Sequence, residues 1–128
     1  MAIFHLSMQN IGRRPDRCPI GMAAYRAGER LEDFDRGKTF DYSHRSGVLF
    51  AEVRLPPRGD PRYADRQLAW NEVKRMERRE DSRFAREINI ALPHELGLDD
   101  NIALMRDFID SRLTARGMFA DFAIHAPN

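Results

Sequence analysis

The sequence predicts one α+β domain: a mainly antiparallel sheet with helices packed on one face. Three observations carry that expectation. Three segments alternate apolar residues with polar or small ones at a period of two, as half-covered strands do and buried parallel strands do not. Three other segments repeat apolar residues at helical spacing, and the two kinds interleave along the chain. The length of 128 residues, with 42% hydrophobic and 32% charged, suits a single globular core.

In order, AIFHLSMQ (residues 2–9) sets Ala2, Phe4, Leu6 and Met8 on one face and Ile3, His5 and Ser7 on the other, which reads as a strand. The basic turn IGRRPDR follows. CPIGMAAYRAGERL (18–31) reads as a helix: Pro19 suits its first turn, and Ile20, Ala24, Ala27 and Leu31 form an apolar stripe. Residues 32–47 are polar and turn-rich, expected as an irregular loop or flap. VLFAEVRLP (48–56) reads as a strand stopped by Pro56 and Pro57. A helix is expected from about Tyr63 to Glu80, with Ala69, Val73 and Met76 as its core stripe and Trp70 beside it.

FAREINIALP (84–93) is the best strand pattern, with Phe84, Ile88, Ile90 and Leu92 on one side and Ala85, Glu87, Asn89 and Ala91 on the other. From about Leu98 to Arg116 a helix buries Leu98, Ile102, Met105, Ile109 and Leu113, carries Asp99 and Asp100 in its first turn, and stops at Gly117. MFADFAIHA (118–126) closes the series, with Ala120, Phe122 and Ile124 inward and Asp121, Ala123 and His125 opposite.

Composition excludes several classes. No apolar run reaches the roughly eighteen residues of a membrane span, and the N-terminus lacks a signal-peptide pattern. The lone Cys18 makes no internal disulfide, which fits a cytoplasmic protein. A net charge of +1 gives no global basic field, although Lys38 and Lys74 are the only lysines among 21 basic residues. Arginine suits bidentate phosphate contacts, and a GC-rich genome produces the same bias.

Tyr25 lies off the apolar stripe of its helix, with Gly21 one turn before and Gly28 one turn after on the same side. A flank without Cβ atoms leaves room for a bulky partner to reach the phenol, or for another element to pack closely. Local sequence supports both a packing tyrosine and a reactive one. The polar faces of the strands would gather His5, Glu87, Asn89, Asp121 and His125, a set able to hold a metal with a carboxylate as orienter. His94 sits at a strand-to-helix turn and suits a surface role.

Five segments, AIFHLS, AAYRAGERL, DYSHRSGV, REINIALPHEL and ARGMFADFAIH, stand in an order and spacing that resemble the MobA/MobL family of conjugative relaxases, which nick plasmid DNA at a transfer origin. The resemblance covers nearly all of the chain. It implies a histidine–hydrophobe–histidine relaxase-like fold, with Tyr25 as nucleophile and His125 as the first of three histidines holding a divalent metal, Mn or Mg. It also sets Glu87 beside those ligands, and matches Asp41, Tyr42 and Arg45 to a family feature without an assigned role. Arg13, Arg14, Arg26 and Arg45 are the candidate contacts to single-stranded DNA at a transfer origin.

In the family a short linker after the A-I-H histidine leads to N-P-H-x-H, whereas this chain reads Ala126-Pro127-Asn128. The expectation is therefore a C-terminally incomplete relaxase domain over residues 1–128, with an incomplete metal site and impaired nicking. Other mobilisation proteins are further candidate partners. Two other readings are a single-stranded DNA-binding module without catalysis and a metal-dependent nuclease in which water attacks.

Overall fold

The computed structural model describes residues 6–12, 18–76 and 83–126. His5, Arg13 and Arg14 lie outside the described residues. The elements in chain order are β1 (Leu6–Gly12), α1 (Pro19–Ala27), β2 (Arg30–Asp33), β3 (Lys38–Asp41), β4 (Val48–Arg54), α2 (Arg66–Met76), β5 (Arg83–Ile90), α3 (Leu98–Arg112) and β6 (Ala120–His125). Short 3-10 turns at Pro61–Ala64 and Thr114–Arg116 lead into α2 and out of α3.

Every described strand pairing is antiparallel: β1 with β5, β2 with β3, and β4 with β6. Among the described residues these form three two-stranded ladders, so β5 and β6 do not share a hydrogen-bonded sheet as their matching alternation had suggested. Glu87 stands opposite Gln9 in the first ladder, and His125 opposite Val48 in the third.

The tyrosine helix ends earlier than its apolar stripe implies. Gly28 adopts the left-handed region (φ 64°), and its N–H bonds back to the Ala24 carbonyl, closing α1 at Ala27. Leu31, the last member of the stripe, belongs to β2, yet it reaches the same core. That core joins Ile20, Ala23, Ala24 and Leu31 with Phe40, Tyr42 and Trp70 packed around it. Residues 30–41, expected as part helix and part loop, instead make the β2–β3 hairpin. Leu31 and Asp33 alternate with exposed Arg30 and Glu32, a period-two signal hidden among charged residues.

A second core gathers Ile109, Phe122 and Ile124, with Phe50, Leu92, Ile102, Met105 and Phe108 around them. Alternation in β6 is as expected, since Phe122 and Ile124 are buried in this core. The opposite face is covered at one end only: Asp121 meets Arg66 and Trp70 of α2, while exposed His125 reaches the end of α1. Pairing with Arg66 is what lets Asp121 pack inside.

Two helices depart from their expected cores. Met76 is 69% exposed, and the buried face of α2 is made by Ala69 and by the aliphatic stem and paired head of Arg66. Leu98 is exposed at the start of α3, whose backbone regularity ends at Arg112; Gly117 (φ 86°) closes the following 3-10 turn instead. No helix among the described residues is long and apolar enough to cross a membrane.

Candidate active site around Tyr25

Tyr25 occupies the last turn of α1 and is 48% exposed, although its helix carries six buried residues. The space beside the flanking glycines is filled. Phe40 of β3 lies against Gly21 so closely that a Cβ there would come within 2.9 Å of its ring, and Val48 stands against Gly28. Gly21 thus lets the hairpin pack on α1, and Tyr25 stays half exposed at the helix end.

Arg26, the next residue, turns the other way and ties α1 to two strands. Its Nε donates to Glu87 Oε1 at 3.0 Å, its Nη2 lies 2.5 Å from Glu87 Oε2, and its Nη1 donates to the Met22 carbonyl. This is a two-pronged arginine–carboxylate pair, with the Glu87 side chain only 17% exposed. The main-chain carbonyl of Arg26 meets His125 Nε2 at 2.8 Å. A carbonyl can only accept, so Nε2 carries the proton and Nδ1 of a neutral ring keeps its lone pair. Glu87 and His125, from different ladders, therefore converge on one residue beside Tyr25.

Tyr25, Arg26, Arg45, Glu87 and His125 line one cavity of about 820 Å³ between β5, β6 and the end of α1. Asn89 and His94 border the same space. Arg45 is brought against the Tyr25 ring, with its guanidinium carbon 3.9 Å from the ring centroid.

A second charged group, unanticipated from sequence, underlies this arrangement. Arg66 is 7% exposed; its Nε reaches both Asp121 oxygens at 2.9 and 2.8 Å, and its Nη1 lies 2.8 Å from Glu29 Oε2. Trp70 Nε1 donates to Asp121 Oδ2 at 2.8 Å. Burial pushes the Asp121 carboxyl above its ordinary value, against the opposing pull of Arg66 and Trp70. In the hairpin, Asp33 is fully buried, 2.6 Å from Lys74 Nζ, and its other oxygen accepts the Asp35 and Arg36 N–H groups. Burial works against ionisation there too, but Lys74 and the turn N–H outweigh it and hold the carboxyl below its usual range. A charged residue alternating in phase with Leu31 was the signal available for Asp33; none marked Arg66 as buried.

The residues present do not by themselves fit a divalent cation. Among the described residues no three His, Cys, Asp or Glu side chains gather as a metal site, and both oxygens of Glu87 are taken by Arg26.

The chain matches the MobA/MobL family over residues 17–128. It is 41% identical to mobilization protein MobL of Acidithiobacillus ferridurans, across 99% of this chain and 33% of that protein. It is 38% identical to conjugal transfer protein TraA of Rhizobium radiobacter, across 98% of this chain and 12% of that protein. The chain thus spans a third or less of the length of these relatives. The fold is shared with a solved structure described as "Molecular Basis of Vancomycin Resistance Transfer in Staphylococcus aureus", with a TM-score of 0.90, 32% identity, and coverage of 97% of this chain and 63% of that one. The match over residues 17–128, together with the identity to these relatives across nearly the whole chain, shows that the chain belongs to the MobA/MobL family.

Proposed function

We propose that this domain carries the nucleophile of a relaxase, with Tyr25 attacking a phosphodiester of single-stranded DNA at a transfer origin. The observation that carries this reading is the half-exposed Tyr25 phenol at a cavity also lined by Arg26, Arg45, Glu87 and His125.

In the proposed step the phenol oxygen forms a bond to phosphorus, and the bond to the 3′ oxygen breaks. The phenol proton passes to solvent at the cavity mouth, and the leaving 3′ oxygen takes up a proton. The products are a 5′-phosphotyrosine link and a free 3′-hydroxyl. One phosphodiester replaces another, so the strand can later be rejoined without an external energy source.

Glu87 acts on Arg26 in this reading: the paired carboxylate fixes the arginine, and through its backbone the end of the helix that bears Tyr25. His125 braces the same turn from β6. His125 is the one described residue that the family resemblance offers as a cation ligand, and no step of this proposal is routed through a metal. Single-stranded DNA would approach along the side of the cavity where exposed Leu49 lies.

The test is Tyr25→Phe in the longest chain that the reading frame encodes. Covalent attachment to a nicked origin oligonucleotide should vanish, while single-strand affinity changes less than about tenfold, since phosphate contacts dominate binding. An undiminished adduct in the phenylalanine variant would sink the assignment.

A further inference from the structure

The segment Asp41–Gly47 is folded around Tyr25. Asp41 Oδ1 accepts the Ser43 N–H at 3.0 Å and the Ser43 hydroxyl, forming a side-chain-capped turn. Arg45 N–H closes that turn on the Tyr42 carbonyl at 3.0 Å. The segment is pinned at both ends, by Tyr42 N–H to the Glu29 carbonyl at 3.0 Å and by Ala126 N–H to the Gly47 carbonyl at 2.7 Å.

This turn delivers two side chains to one phenol ring. Tyr42 meets Tyr25 edge-on, with centroids 5.3 Å apart and planes at 88°. The Arg45 guanidinium lies over the ring with its carbon 3.9 Å from the centroid, and its Nη1 donates to the backbone carbonyl of Tyr25 itself. No carboxylate pairs with Arg45 among the described residues.

We infer that Arg45 is a positioning residue for Tyr25: a flat cation stacked on the phenol and tethered to that residue's own backbone holds the ring in one orientation at the cavity. The inference rests on the reading of Tyr25 as nucleophile. An exposed tyrosine at a helix end otherwise samples several rotamers, and a misplacement of about 1 Å costs a reaction on the order of a hundredfold. Lysine cannot replace this arrangement, because it offers a point charge without a plane to stack or a fixed fork of donors.

Three measurements on the longest chain that the reading frame encodes, as wild type, Arg45→Lys and Arg45→Ala, test it: the single-turnover rate of adduct formation at saturating DNA, DNA affinity against salt, and the NMR shifts of the Arg45 side chain. Both variants should form adduct at least about tenfold more slowly, with affinity within about threefold of wild type and an unchanged salt slope. In wild type without DNA the Arg45 δ protons should be ring-shifted upfield, and Tyr25→Leu should abolish that shift. Restoration of the rate by lysine, together with a salt slope reduced by about one in Arg45→Ala, would make Arg45 a plain phosphate contact and overturn the inference. So would unshifted Arg45 protons, or an unchanged rate in Arg45→Ala. A wild-type protein that forms no adduct would overturn the reading of Tyr25, and this role for Arg45 with it.

Discussion

The two cores of the molecule are held together by different means. Around α1, the hairpin and α2, Ile20, Leu31 and two alanines form the centre with Phe40, Tyr42 and Trp70 packed around them, and charged groups go inside with them: Asp33 with Lys74, and Arg66 with Asp121 and Glu29. Around α3, β4 and β6, large apolar side chains fill the interior, and the ion pairs stay at the edge, where Arg54 bridges Asp110 and Glu52 while Arg106 also holds Glu52. The first core carries Tyr25 and Arg26. Buried charge pairs are poor sources of net stability but have strict geometric demands, which suits a region that must hold a reactive side chain in place.

The contrast predicts unequal costs for removing one arginine. Arg66→Ala leaves Asp121 buried without its partner and should destabilise the protein by about 3–5 kcal/mol, measured by urea unfolding. A cost below about 1 kcal/mol would mean that the buried network does not hold the first core. Asp33→Asn removes the buried carboxylate that pairs with the Lys74 ammonium and should fall at or below the lower end of that same range of roughly 3–5 kcal/mol, because Lys74 keeps Asp35 at 3.7 Å. Arg54→Ala, at the edge of the second core, should cost about 1 kcal/mol or less.

Asp33 also gives the comparison a pH dependence. Its folded-state pKa is lowered, so its ionised form stabilises the fold above its ordinary value near 4, and that contribution is lost as pH falls through the folded value. Wild type and Asp33→Asn should therefore differ most in Tm at pH 7 and converge as pH falls below the ordinary carboxylate range. A gap that widens in acid would contradict the assignment.

The same division decides what could be read from the sequence. The second core follows simple periodicity: Phe122 and Ile124 alternate in β6, and Ile102, Met105 and Ile109 repeat along α3, so both elements were legible. The first core was legible only in part. Its apolar stripe runs from Ile20 through Leu31 as though one helix, because a hairpin strand happens to continue the same spacing after Gly28. Met76, expected inside from its hydrophobicity, is exposed, while Arg66, which no apolar pattern marks, is buried through its pairing with Asp121. For the candidate site, motif resemblance singled out Tyr25, Glu87 and His125, while Arg26 was named as a DNA contact and Arg45 as a DNA contact within a family feature without an assigned role. Their contacts to Glu87 and to the Tyr25 ring depend on a turn and a ladder that no local pattern specifies.

The most direct test of Tyr25 as nucleophile is mass spectrometry of the peptide that contains it. The longest chain encoded by the reading frame would be incubated with single-stranded oligonucleotides from the transfer region of its element, digested, and searched for nucleotide-bearing tyrosine. A 5′-phosphonucleotide on Tyr25, paired with a free 3′-hydroxyl on the released strand, is the expected result. Cleavage that leaves a free 5′-phosphate and no protein-bound nucleotide, or an adduct on a different residue, would contradict it.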